Sequence, residues 1–518
     1  MRSLKLQTLV GILFVMVFIG FLQPYASHGK EGPVTTITVN STEDDFNDGK
    51  SKTCSDTTLP CTLRRAINQA YSLSSTMRPV EIRFNIPTTD QGYINTPAVP
   101  GAWKIELSGT TMHELRELYG STIINGLSQP GGRKKGPKII IDGQGDKNNG
   151  FILRQGNNSV RGVAMQNFKT HINISSDNNL VERSWFGLSD DGMHLSAGDD
   201  LTSEGGSGVV VNNVEGNTIR SNYFAGFFGA SCAITGDNNV FTSNFVGARS
   251  DGTVPLPAQF DKHPCMKGAW VGGCGITVAG DNNRIGGSNK KLGNVFAGLF
   301  LDISATSTQP PAIKIYQSKG HIIQNNTIGL DGSRGVIGVC GRGLDLGSGP
   351  QNLNVSGNNL TETALSAIFM NSSSLNGNTL KGNIIKRDEQ WPGPQGDNPA
   401  GEDAIAYGPM VPDALRELQP AVVTSIAGNT VKGASAEGSP CPNCSIELFL
   451  DDGDEVKEAL GVMGKATANN DGEWTVKLKK PLKKSQGLRT MSTVPDTFTI
   501  PGLDQGTTSN ISDLYQKP

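Results

Sequence analysis

The sequence predicts an all-β chain built around a solenoid, and three observations lead there. A short cassette recurs along the middle of the chain: an Asn, alternating apolar residues, then in most copies a second Asn and a Gly. Gly is abundant, at 65 of 518 residues, while charged residues make up 18%, a balance that favours tightly turning strands over helical bundles. Towards the C-terminus the rhythm changes to longer alternating strands separated by turn residues. The predicted order is a short helical cap, a run of stacked coils and a C-terminal antiparallel β-sandwich.

The cassette reads Asn179-Leu-Val-Glu-Arg-Ser-Trp-Phe-Gly187, Asn217-Thr-Ile-Arg-Ser-Asn-Tyr-Phe-Ala-Gly226 and Asn239-Val-Phe-Thr-Ser-Asn-Phe-Val-Gly247. It returns at 321–329, 352–360 and 378–385. Each copy reads as a short strand, a polar corner and a second short strand. The central apolar positions Val160, Val181, Ile219 and Phe241 are 21, 38 and 22 residues apart, and Ile285 follows 44 residues later, twice 22. A coil of 22 residues with occasional long loops accounts for these intervals. Inward residues stack between coils, while Asn and Gly turn the corners. Asn tolerates left-handed backbone angles and can bond its own kind in a ladder. The Asn residues are therefore structural before they are catalytic or glycan acceptors, although Asn173, Asn325 and Asn359 fall in Asn-x-Ser/Thr triplets.

The N-terminus has the pattern of a signal peptide, assigned to 1–29. Arg2 and Lys5 precede an apolar stretch from Leu9 to Leu22, and Pro24-Tyr-Ala26 or Ser27-His-Gly29 supplies a small-residue cleavage site. The stretch is short for a membrane span, with an uncleaved anchor as the alternative. No Cys stands directly after it, so a lipoprotein is not expected. An exported protein, secreted or attached to the cell surface, with no transmembrane segment in the mature chain, is the expectation. A net charge of -3 and the lack of a large basic stripe argue against nucleic acid as a partner. Arg133-Lys-Lys135 and Lys479-Lys480 read as solvated turns.

All eight cysteines follow the signal region, which suits an oxidising compartment. Cys54 with Cys61 and Cys265 with Cys274 bracket short loops and are expected to pair locally, although spacing does not fix connectivity. Cys441-Pro-Asn-Cys444 precedes a strand rather than a helix and has no second ligand pair, so a loop tie is favoured over redox or zinc chemistry. Cys232 and Cys340 are left over.

The segment 33–100 reads as a cap. Leu63, Ala66, Ile67 and Ala70 line one helical face behind Thr62 as N-cap, beside the strands at 36–40 and 80–86. Such a cap covers the open edge and apolar core of the first coil. Coils are expected over 101–390 and a Pro/Gly-rich linker over 391–418. The β-sandwich follows over 419–518, with a hairpin turn at Asn470-Asp-Gly472.

Three segments together resemble a bacterial group. Cys61-Thr-Leu-Arg-Arg-Ala-Ile67, preceded by Cys54, is similar to the Cys-Ser-Leu-Arg-Glu-Ala motif of the CSLREA-domain proteins, with Thr62 in place of Ser and Arg65 in place of Glu. The Asn-rich cassettes, with Gly187-Leu-Ser-Asp-Asp-Gly192 and Gly247-Ala-Arg-Ser-Asp-Gly252, resemble the Ile-Gly-Thr-Asp-x-x-Gly coils of that group. Gly341-Arg-Gly-Leu-Asp-Leu-Gly347 is similar to its closing Gly-Ile-Asp-Leu-Gly segment. The resemblance spans nearly the whole mature chain. It implies a right-handed parallel β-helix of the pectin lyase-like fold, followed by an immunoglobulin-like module. That fold houses polysaccharide lyases, hydrolases, adhesins and passenger domains, so it does not choose among them.

Candidate chemistry is set by residue type. A glycosidase needs paired carboxylates; Asp190-Asp191 and Asp199-Asp200 are adjacent pairs, and neighbours in a strand point to opposite faces. Asp191-Gly192 recurs as Asp251-Gly252 and Asp331-Gly332, a turn position, which leaves Asp199 and Asp200 as the better catalytic candidates. A β-elimination site needs a strong base and a cation: Arg342 and Asp345, with Lys314 nearby, are candidates, with a structural closing coil as the alternative. Ca²⁺ is the one cofactor considered, at Asp397, Asn398, Glu402 and Asp403, where a solvated linker explains the oxygens equally. For ligand binding, Trp185, Tyr223 and Phe245 adjoin the inward Phe186, Phe224 and Val246 and should alternate outward as an aromatic stripe, joined by Trp270. A packing face under loops is the alternative. The leading expectation is a secreted or surface β-helix protein binding polysaccharide or a cell-surface glycan along its long face. A polysaccharide lyase or glycoside hydrolase is one alternative, and an adhesin or structural surface protein with other surface proteins as partners is another.

Overall fold

Three parallel sheets run along the solenoid because each coil gives one strand to each. The computed structural model describes residues 34–516 except 111–113, 197–205, 228, 255–274, 300–310, 374–376, 388–402, 436–440, 455 and 496–502. The first sheet has eleven strands, from Thr35–Val39 and Val80–Phe84 through to Thr379–Lys381. In its register Val160, Val181, Ile219, Phe241, Ile285, Ile323, Val355 and Leu380 stack one per coil. All eight are buried. Phe241 pairs directly with Ile285, so the 44-residue interval is one coil carrying an inserted loop. In the second sheet Met165, Phe186, Phe224, Val246, Phe296 and Ile328 form the inward stack. In the third, Ile172, Val209, Cys232, Ile276, Ile313 and Leu344 do so. Two long strands, Ile139–Arg154 and Val163–Ile174, run through a corner and belong to both of these sheets. The whole is a right-handed parallel β-helix.

Left-handed residues turn the corners. Before the first ladder they are Asn157, Asn178, Gly216, Asn238, Asn282, Gly320, Asn352 and Gly377; before the second they are Gly162, Arg183, Ser221, Ser243, Asn325, Gly357 and Gly382. The residue after most of these corners carries the ladder; Val163 and Leu353 join it only through their backbone N–H. Asn179 Oδ1 accepts from the backbone N–H of Asn158 at 2.9 Å and from its side-chain amide at 3.0 Å. The contact repeats to Asn217, Asn239 and Asn283. A second ladder runs through Ser184, Asn222, Asn244, Asn294, Asn326, Asn358 and Asn383. These side chains are buried, and Asn244 Nδ2 also donates to the carbonyl of Ile219 at 2.9 Å. Each amide thus pairs main-chain groups that the turn takes out of the strands.

His321 replaces Asn in the first ladder. Its Nδ1 accepts from Asn283 N at 3.0 Å. Ser318 Oγ donates to the Tyr316 carbonyl, so it accepts from His321 Nε2, 2.7 Å away. A ring that accepts at Nδ1 is neutral, and burial holds its pKa down at about 4.

The helix Leu63–Ser72 covers the first coil, with Thr62 Oγ1 accepting from Arg65 N at 3.3 Å. Arg64 pairs with Asp44 at 2.7 Å and Arg65 with Asp48 at 2.6 Å, all four nearly enclosed. Cys54 and Cys61 are bonded, with Cα atoms 4.8 Å apart, and so are Cys441 and Cys444, at 5.4 Å. Cys265 and Cys274 lie outside the described residues. Cys340, left over on spacing alone, is disulfide-bonded, and Cys232 is a buried free thiol.

At the other end, a three-stranded and a four-stranded antiparallel sheet form the C-terminal module. It closes the solenoid: Gly377 N and Leu380 N donate to Thr507 Oγ1 and Thr508 Oγ1 at 2.9 and 3.0 Å. Ala459 bridges Ile385 antiparallel, and Arg387 N donates to Glu458 Oε1 at 2.6 Å. These bonds engage the open edges of the first and second sheets. Within the segment expected to be a linker, Ile405–Tyr407 continues the third sheet against Ile368–Met370, and Asp413–Glu417 is a short helix. Among the described residues no helix is long and apolar enough to cross a membrane.

Asn244→Ala strips partners from the buried Asn222 N–H and Ile219 carbonyl, and is expected to lower unfolding free energy by about 3 kcal/mol, read as a lower urea midpoint. His321 has a folded pKa below its unfolded value, so the unfolded chain takes the proton first and stability falls as pH drops from about 6.5 to 4. The loss reaches about 3 kcal/mol at pH 4. His321→Asn, which restores the ladder amide, is expected to leave melting at pH 7 nearly unchanged and to lessen the fall between pH 6.5 and 4, of which the equally buried His171, also held at about 4, supplies the rest. An equal fall in both proteins would remove His321 as its source.

Candidate functional site

The outer row of the second sheet carries Ile140, Ala164, Trp185, Tyr223, Phe245, Val295 and Thr327 in register. Strand alternation therefore sends three consecutive aromatic rings outward, one per coil. They do not form an open stripe. Trp185 is only 6% exposed, packed with Ile140, Ala164, Leu188, Leu195 and Ala225 in a second apolar layer outside the sheet. Two loops close over it because two glycines let them approach: a Cβ on Gly136 would lie 2.2 Å from the indole and one on Gly192 2.6 Å. The Arg133 guanidinium sits 4.8 Å from the same ring. Tyr223 and Phe245 are half-buried and stacked, with centroids 4.7 Å apart and planes 5° from parallel. Phe245 is itself overlaid by Gly252 and Gly332, so it backs Tyr223.

The covering loops are copies of one turn. Asp191 Oδ1 accepts from Met193 N at 2.8 Å, Asp251 Oδ1 from Thr253 N at 2.8 Å, and Asp331 Oδ1 from Ser333 N at 2.9 Å. The loops also bond one another, Ser250 N to Gly192 O at 2.9 Å and Gly332 N to Gly252 O at 2.7 Å.

Between these loops and the 131–137 segment lies a cleft of about 1240 Å³. Trp185 and Tyr223 are among its lining, as are four cations, Arg133, Lys134, Lys135 and Arg183, against two carboxylates, Asp191 and Asp251. The basic run that read as a solvated turn is thus part of a wall. Arg133 is buried, donates through Nε to Pro137 O at 2.6 Å and through Nη1 to Asp190 O, and burial lowers its pKa to about 10. Burial and the nearby Asp251 charge both push the Tyr223 hydroxyl up. Burial alone would raise Asp191 and Asp251, but hydrogen bonds from Ser189 and Met193 to the first, and from Thr253 to the second, outweigh it and hold both below the usual range. Carboxylates so committed are poor proton donors for glycosidic cleavage. Among the described residues, the carboxyl that burial raises well above its usual range, to about 8, is Glu458, at the junction with the C-terminal module.

The other candidates lie elsewhere. Lys314 and Asp345 are opposite each other on the outer face of the third sheet, with Phe369 next in register. Arg342 reaches Asp345 at 3.8 Å and lies 3.4 Å over the Phe369 ring. A guanidinium between a carboxylate and an aromatic face is a fixed cation rather than a base. Asp199, Asp200, Trp270, Asp397, Asn398 and Glu402 lie outside the described residues. Asp403 pairs with Lys457 at 3.6 Å. The carboxylate oxygens of Asp451, Asp452 and Asp454 lie within 4.8 Å of one another, a cluster signalled in sequence by Asp451-Asp-Gly-Asp454. Oxygen ligands suit Ca²⁺, but the Arg489 guanidinium already pairs with Asp451, and Gly453 N and Val456 N bond Asp451 and Asp454, so two of the three carboxylates are engaged in holding the turn.

No family model and no curated protein matches the chain. Solved structures do. The A-module of mannuronan C-5 epimerase AlgE6 from Azotobacter vinelandii is 12% identical, with 71% of this chain and 97% of that one covered at a TM-score of 0.37. The AlgE4 A-module from the same organism is 12% identical, with 72% and 96% covered at 0.32. The tailspike protein gp49 of Acinetobacter baumannii bacteriophage Fri1, a capsular polysaccharide depolymerase, is 8% identical, with 83% and 75% covered at 0.25. Likenesses at this level carry no argument about what the chain does.

Trp185→Ala empties an enclosed volume and is expected to cost about 3 kcal/mol of stability, whereas Tyr223→Leu, on a half-open face, is expected to cost under about 1 kcal/mol. Urea unfolding of the two variants checks the difference; equal losses would remove the distinction between a packed and a presented ring.

Proposed function

We propose that this chain is an exported β-helix protein that binds extended polysaccharide along the outer face of its second sheet, with the cleft beside Tyr223 as the point of tightest contact. The observation that carries the proposal is the Tyr223 ring, backed flat by Phe245 and opening onto the 1240 Å³ cleft. An aromatic face held rigidly from behind is a good platform for a sugar ring, because little side-chain freedom is lost on binding. Beyond the covered Phe245 the outer row goes on through the half-buried Val295 and Thr327. Trp185 contributes by forming the wall, and Phe245 by fixing Tyr223. Export is supported by the N-terminal charge and apolar pattern and by the disulfides at Cys54–Cys61 and Cys441–Cys444. The match to CSLREA-type proteins rests on the segments around Cys61, Gly187 and Gly341 and belongs to the same proposal.

A lyase or hydrolase is the second reading, and the grouping of Lys314, Arg342 and Asp345 on the third sheet favours it. Incubation with uronate polymers, with and without Ca²⁺, followed by absorbance of unsaturated products, tests the lyase; release of reducing ends tests the hydrolase.

Binding is tested on glycan arrays and by pull-down with soluble polysaccharides. Tyr223→Ala is expected to weaken the response about five- to tenfold. An array with no positive sugar, or affinity unchanged in Tyr223→Ala, would remove the proposal.

A further inference from the structure

We propose that Arg183 selects the ligand of this cleft by holding an anionic substituent of the saccharide, a carboxylate or a sulfate; this rests on the reading of the cleft as a saccharide site. The first ground is the backbone. Arg183 has φ 54° at a corner that other coils turn with Gly162, Ser221, Ser243, Asn325, Gly357 and Gly382. Glycine takes this conformation freely, whereas a long side chain takes it at a cost. Such residues persist where the surroundings or a function hold them. The interior does not need an arginine here, because the side chain is exposed and faces the cleft.

The second ground is the lack of a protein counter-ion. On the adjacent outer row of the first sheet, Arg161 pairs with Glu81 at 3.2 Å and Arg220 with Glu182 at 2.8 Å. Among the described residues Arg183 has no such partner, nor have Arg133, Lys134 and Lys135 across the cleft. Arg133 is 5% exposed and its Nη2 has no hydrogen-bond acceptor. The two carboxylates on the lining are held in their own turns and offset only half of its four positive charges. A recess whose walls carry excess positive charge concentrates anions, and the guanidinium fork matches the paired oxygens of a carboxylate or sulfate.

Binding of polygalacturonate, dextran sulfate and neutral dextran by the full chain tests this, with Arg183→Gly, Arg183→Gln and a Lys479→Gln/Lys480→Gln control for general surface charge. The wild type is expected to prefer one or both polyanions over dextran by about tenfold or more, weakening with salt. Preference for polygalacturonate identifies the carboxylate, and preference for dextran sulfate the sulfate. Both Arg183 variants are expected to lose about tenfold in polyanion affinity, with the control unchanged. Arg183→Gly should melt no lower than the wild type, because glycine suits the corner; Arg183→Gln separates lost charge from a changed backbone. Saccharide binding that is indifferent to charge, or undiminished in Arg183→Gln, overturns the assignment of Arg183 alone. A wild type that binds no saccharide on the arrays overturns the cleft reading and this inference with it.

Discussion

The buried amide bond from one coil's Asn to the next is the constraint on which the rest of the molecule depends. A chain that turns sharply through left-handed backbone leaves main-chain N–H and carbonyl groups inside the molecule with no strand partner. Asn244 answers this twice over, accepting from Asn222 N and donating to the Ile219 carbonyl. Because an unpaired group in that position is expensive, the amide fixes the register at each corner. Register then decides which residues stack inward and which rings stand outward. The packing of Trp185 and the placing of Tyr223 over Phe245 are downstream of those hydrogen bonds.

The outer face is made by insertions at one corner. Where the chain leaves the second sheet, the loops built on Asp191, Asp251 and Asp331 extend outward and bond to one another. They repeat the logic of the coils outside the core: a turn stabilised by its own carboxylate, bonded to its counterpart two coils away. The face is therefore rigid where it meets the cleft, and the exposed segment carrying Lys134 and Lys135 lies across from it.

How much of this was legible in the sequence depends on the range of the interaction. Val160, Val181, Ile219, Phe241 and Ile285 announce their stack because period-two alternation and Asn corners are local signals, and the structure pairs them in that order. The outward direction of Trp185 followed from Phe186 beside it. Its burial did not, since that comes from Gly136, forty-nine positions earlier, and from the loop at Gly192. Arg133-Lys-Lys135 looked like a solvated run for the same reason: its neighbours across the cleft belong to later coils. Arg183 was hidden by Ser184, which stands where the later coils have Asn and so blurs the cassette at this corner. Ile405–Tyr407 was concealed by the Pro- and Gly-rich stretch before it, although Ile368–Met370 is a ready partner strand.

The coil between Asn217 and Asn239 has its own consequence. It spans 22 residues and starts and ends at equivalent rungs. Its excision would set Asn179 against Asn239 and Ser184 against Asn244 with both ladders intact. The shaft would shorten by one strand spacing, about 4.8 Å, and neither end would register the change. Length in this architecture is thus inherited in whole coils, while shorter gains and losses of sequence are confined to the corners. Lineages that reshape such a protein can alter its reach by duplication and its surface by loop exchange, and each kind of change leaves the other alone.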